Sequence, residues 1–121
     1  MKKPRCPARL KGVARAEWKR IIALYQAEER FIDTTILTLH CEAFADYVAA
    51  REVVTAEGIT STTDKGNVIQ HPAVGVMNRA WERTIKTAKE IGLTAAGRVK
   101  TRAAEPAANE SKLKTKLRVI S

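Results

Sequence analysis

Apolar residues recur at helical spacing in three stretches of this chain. Ala14, Trp18, Ile21, Ile22 and Tyr25 share one face of a segment from about Val13 to Glu29, which predicts a first amphipathic helix. Leu37, Cys41, Phe44 and Val48 form a second stripe, flanked by Ile36, His40, Ala43 and Tyr47. A stripe this wide buries against more than one neighbour. Asp33 suits the cap of that second helix, where a carboxylate meets the positive end, and Gly58 its stop. A third stripe of Val74, Met77, Ala80 or Trp81, Ile85 and Ala88 runs from His71-Pro72 to Ile91, with Pro72 at the first helical position. The central helix, about 25 residues, spans roughly 37 Å. That length suggests burial against other subunits, although packing on the first and third helices alone also accounts for it. The expected subunit contacts are Leu37, Phe44, Tyr47 and Val48, with Trp81 on the third helix.

The pattern changes between these helices and at the ends. Thr60, Thr62 and Thr63, then Val68 and Ile69, favour strand, and Asp64-Lys65-Gly66-Asn67 is turn chemistry. A short β-hairpin or a mobile loop fits residues 59–70. After Ile91, Gly92 suits a left-handed helix stop and Thr94 the cap of a short fourth helix bearing Arg98, Lys100 and Arg102. Pro4 and Pro7 make the first residues an extended arm. The expected fold class is therefore mostly α: three to four helices with a long central helical hairpin, plus the hairpin or loop near 59–70. The expected organisation is a basic arm at 1–12, a helical domain at 13–102 and a flexible basic tail at 103–121. Within the tail, residues 112–120 are amphipathic as strand or as helix, and the helical reading aligns Leu113, Leu117 and Ile120.

Charge sharpens this outline. The net charge is +9 over 121 residues, but it is unevenly spread: +7 in residues 1–20, −5 in 21–70 and +7 in 71–121. Two basic ends around an acidic middle point to a polyanion held by the ends, and nucleic acid is the commonest such partner. Lys11, Arg15 and Lys19 recur every four residues on the first helix; that stripe follows a phosphate backbone or is simply a solvated face. No apolar run approaches the roughly 20 residues needed to span a membrane, and the basic N-terminus lacks the apolar segment of a secretion signal.

Catalytic chemistry is poorly supplied. Cys6, His40, Cys41 and His71 lack the paired spacing of a structural zinc site, and they read as a surface thiol, a packed histidine, a core residue and a helix cap. Two histidines without a nucleophile elbow offer no hydrolase triad. Asp33, Glu42 and Asp46 read as solvated charges or ion-pair partners in preference to a Mg²⁺ site. No enzyme activity, metal or cofactor is expected.

The order of motifs resembles a known family. It comprises Pro7-x-x-Leu10, Trp18-Lys19-Arg20 in a first helix and Asp33 opening a long one. Gly58, Gly66 and His71-Pro72 follow, then Gly92-Leu93-Thr94 with Arg98. Over residues 4–102 this is similar to the small terminase subunit of tailed double-stranded-DNA phages. Two departures stand out: Ala95 where the family commonly has Pro, and no Gly in the turn before Asp33. The resemblance implies a non-enzymatic helical protein acting in the host cytoplasm. It further implies a ring-shaped homo-oligomer, with nine copies as the expectation. Such a protein recognises viral double-stranded DNA to initiate packaging and regulates the large terminase subunit, which holds the ATPase and nuclease. The expected phosphate contacts are Lys2, Lys3, Arg5, Arg9, Lys11, Arg15, Lys19 and Arg20, followed by Arg98, Lys100 and Arg102. Leu113, Leu117 and Ile120 are the expected docking residues for the large subunit. The alternatives are a helix-turn-helix regulator binding as a dimer and a small metal-dependent nuclease.

Overall fold

The computed structural model describes residues 3–94 and 97–98. Three helices, α1 (Val13–Ala27), α2 (Thr34–Glu57) and α3 (Pro72–Glu90), are joined by a tight turn and by a hairpin of β1 (Thr60–Thr62) and β2 (Val68–Gln70). Among the described residues, the three helices and the hairpin agree with the mostly helical fold expected from the sequence, and most of the expected fourth helix, from Thr94 to Arg102, lies outside them.

Each boundary has a local cause. The Asp33 carboxylate accepts hydrogen bonds from the amides of Thr35 and Ile36 at 2.9 and 3.2 Å, satisfying donors that the first turn of α2 leaves open. His71 Nδ1 does the same for Ala73 at 3.0 Å, ahead of Pro72. α3 ends in a Schellman motif, with Leu93 N–H donating to the Ala88 carbonyl at 2.9 Å and Gly92, at φ 78°, to Lys89. α1 ends in the same motif: Arg30 N–H donates to the Tyr25 carbonyl at 2.9 Å and Glu29 N–H to Gln26. Here Glu29 occupies the left-handed position at φ 54°. This is the turn in which the sequence lacks the expected glycine, and the geometry forms without it.

Residues 59–70 form a hairpin because the threonine and valine segments pair in register, Thr60 with Gln70 and Thr62 with Val68. A turn closed by Gly66 N–H to Thr63 O at 2.9 Å, with Gly66 at φ 84°, joins them. Ile59 and Val68 stay exposed, so the hairpin stands off the helices.

α2 is the hub. One side packs on α1 through a core of Trp18, Ile21, Ile22, Tyr25, Leu37 and Cys41, with Leu10 and Ile91 closing its ends. Another side packs along α3 through Ala43, Ala50, Val74, Ala80 and Ala88. Small residues at this second seam let the two long helices approach closely. The width of the α2 stripe thus has an explanation inside one chain. Of the two candidates for the α3 core face, Ala80 is buried and Trp81 is 49% exposed. Cys6, expected as a surface thiol, is half-buried against the core.

Candidate nucleic-acid interface

Leu10 holds the basic arm on the helices. Leu10 is 2% exposed, and its amide donates to the Pro7 carbonyl at 3.1 Å. Gly12, at φ 56°, then turns the chain into α1. This anchoring leaves Lys3, Arg5 and Lys11 exposed on the arm ahead of Gly12 and Arg15 and Lys19 exposed along α1. None of these five has an ion-pair partner among the described residues. The stripe is outward because Ala14, Trp18 and Ile21 occupy the opposite face of α1 in the core.

Two other expected phosphate contacts are differently placed. Arg9 Nε lies 3.1 Å from Glu42 Oε1. Arg20 makes a bidentate pair with Glu17, its Nε at 3.1 Å from Oε2. Each is engaged by a carboxylate of its own chain, so contact with a phosphate requires exchange of one anion for another. Arg98 is exposed just past the Thr94 cap, whose hydroxyl accepts from Gly97 N–H at 3.0 Å. A β-carbon at Gly97 would sit 2.2 Å from the Lys89 carbonyl oxygen, so only glycine lets this segment lie on the end of α3. Lys2, Lys100 and Arg102 lie outside the described residues, as do Leu113, Leu117 and Ile120.

Beneath the basic stripe is a polar cluster that the sequence reading passed over. Glu17 is only 5% exposed, on the core side of α1. Its Oε1 is 3.5 Å from His40 Nε2 of α2, and His40 Nδ1 is 3.0 Å from the Thr87 hydroxyl of α3. The Thr87 hydroxyl donates to a backbone carbonyl of its own helix, Arg83 at 2.9 Å or Thr84 at 3.1 Å. Burial pushes the Glu17 carboxyl up, but hydrogen bonds from His40 and Arg20, with their charges, outweigh burial and bring it down to about 2. One carboxylate, one imidazole and one hydroxyl thus tie the three helices together. The available signal was Glu17 at three and four residues from Ala14 and Ile21, a charge inside the apolar stripe with Arg20 one turn away.

The acidic residues serve separate roles: Asp33 caps α2, Glu42 meets Arg9, and Asp46 lies 3.3 Å from Arg83. Among the described residues no group of three or more His, Cys, Asp or Glu could hold a metal ion.

A family model described as phage terminase, small subunit, matches residues 14–108. The chain belongs to the phage terminase small-subunit family. Its role is in viral DNA packaging. No curated protein and no solved structure matches the chain. Within the described residues no helix is long and apolar enough to cross a membrane.

Of the residues expected at subunit contacts in this terminase small subunit, Leu37 is 0% exposed in the core between α1 and α2. Its role is therefore inside the chain. Phe44, Tyr47 and Val48 are half-buried. Tyr47 packs on Trp81 with ring centroids 5.4 Å apart, and Phe44 stacks on His40 at 6.4 Å. Arg30 was also missed. It covers the Tyr25 ring at 4.6 Å and donates to the Gly92 carbonyl at 3.3 Å, joining the turn after α1 to the end of α3.

Proposed function

We propose that this chain recognises viral double-stranded DNA at the start of packaging and regulates the large terminase subunit, acting as a ring of copies in the host cytoplasm without enzyme activity of its own. The observation that carries the DNA reading is the exposed row of Lys11, Arg15 and Lys19, without ion-pair partners among the described residues and continued by Lys3 and Arg5 of the arm. Cations with no protein partner release condensed counterions when they meet phosphates, which gives affinity that falls with salt. Such contacts orient the protein without reading bases. In a ring the arms act together, multiplying weak individual contacts through effective concentration.

The test is a salt titration of duplex binding by the wild type and by a Lys11→Ala, Arg15→Ala, Lys19→Ala variant. Arg15 and Lys19 are exposed helix positions that alanine suits, and Lys11 is exposed on the arm ahead of Gly12, so the fold persists. The slope of log K against log salt is expected to flatten by about three, roughly one for each phosphate no longer neutralised. An unchanged slope removes the stripe from the DNA interface. Regulation of the large subunit is tested by its ATPase rate with and without this chain; no change overturns that part.

A further inference from the structure

The α2–α3 pair has two unlike edges. Val76 and Trp81 are five positions apart on α3, so they project about 140° from one another, and they are 43% and 49% exposed. The stripe of Ala80, Thr84 and Ala88 between them is buried. They therefore flank the α2–α3 seam on opposite sides. One edge protrudes: Trp81 rests on Tyr47 of α2 with an interplanar angle of 47°, leaving half of its indole in solvent. The other edge is recessed. Asp46, Ala49, Ala50 and Val53 of α2 face Ala73 and Val76 of α3 across a groove of about 310 Å³.

The two edges complement each other. A closed apolar cavity of about 150 Å³ takes a benzene ring, so the groove has room for an indole. Its walls are small or β-branched apolar side chains, and the carboxylate of Asp46 stands at one end. The Trp81 edge carries Arg51, one turn along α2 from Tyr47, exposed and with no ion-pair partner among the described residues. Asp46 is paired with Arg83 of its own chain at 3.3 Å, so the match is one of shape and apolar character: an exposed indole on one edge and an apolar groove on the other.

A ring closes only through head-to-tail contacts, in which two different surfaces of each copy are used. We infer that Trp81 of one copy enters the Ala49–Val53–Val76 groove of the next, making the two edges of the α2–α3 pair the two halves of a single heterologous contact. The inference rests on the ring reading above and specifies which surfaces build it. Tyr47 holds the indole in place from within its own chain. Leu37 takes no part, being enclosed by α1.

Two variants, each altered at an exposed position, test it: Trp81→Ala removes the knob and Ala49→Trp fills the groove. By sedimentation the wild type is expected as an assembly, and each variant alone at the 13.4 kDa mass of one chain with an unchanged helical circular dichroism spectrum. Mixed at high concentration, the two variants are expected to form a species of twice that mass and no larger. The Ala49→Trp copy still offers its Trp81, the Trp81→Ala copy still offers its groove, and no further contact remains. A wild type that stays monomeric overturns the ring reading and this inference together. A wild type that assembles, with both variants also assembling, overturns the inference alone. Variants that are monomeric singly and remain so when mixed show a self-complementary contact and overturn the head-to-tail arrangement.

Discussion

Glu17 shows how far one side chain departs from what its type suggests. A glutamate beside three basic residues on α1 reads as a solvated partner for them, yet it lies at 5% exposure with His40 and Arg20 against it. A buried charge persists only when its partners repay the lost hydration. Its carboxyl is held at about 2, below the ordinary carboxylate range. The ionised form therefore stabilises the fold fully above that range, and the contribution is lost as pH falls from the ordinary range toward 2. The shift corresponds to on the order of 2–3 kcal/mol. Denaturant unfolding of the wild type between pH 5 and 2.5 is expected to show an acid loss that Glu17→Gln lacks. Parallel profiles would mean the carboxylate is not held by its neighbours. His40 was legible as a packed histidine but its partner Thr87 was not, because contacts 47 positions apart leave no periodic trace.

At the scale of elements, the stops were easier to read than the partners. Asp33, Gly58, His71-Pro72 and Gly92 each act within a few residues of chain, so their chemistry is local and the helices begin and end where it places them. α1 is the instructive case. Its Schellman stop places Glu29 at φ 54°, a conformation that costs a residue with a β-carbon about 1 kcal/mol or more. The missing glycine therefore changes the cost of the turn and leaves its shape. Glu29→Gly is expected to raise the melting temperature by a few degrees at fixed pH and protein concentration, as about 1 kcal/mol does in a domain of this size. A lower melting temperature would mean that the contacts of the glutamate outweigh its backbone strain. The choice between hairpin and loop at residues 59–70 was left open by composition. Cross-strand pairing through Thr62 and Val68 decided it, with little help from burial.

For the molecule as a whole, a 24-residue helix covered by one neighbour on each side leaves apolar flanks. Trp81, Val76 and Val53 remain exposed along them. If copies cover these flanks, assembly stabilises the folded state by mass action. The melting temperature is then expected to rise with protein concentration, and to become independent of it in Trp81→Ala. A concentration-independent wild type would leave each chain to stand by its own core.

Three helices, their caps and stops, and the basic ends with an acidic middle were determined by the sequence alone, since periodicity, turn chemistry and charge are properties of neighbouring residues. Tertiary structure decided which faces remained available. It enclosed Leu37, turned Trp81 outward while Ala80 went in, paired Arg9 and Arg20 with carboxylates and left Lys11, Arg15 and Lys19 without ion-pair partners among the described residues. Those outcomes depend on how α1 and α3 lie against α2, and side chains brought together by packing carry no common signature along the chain.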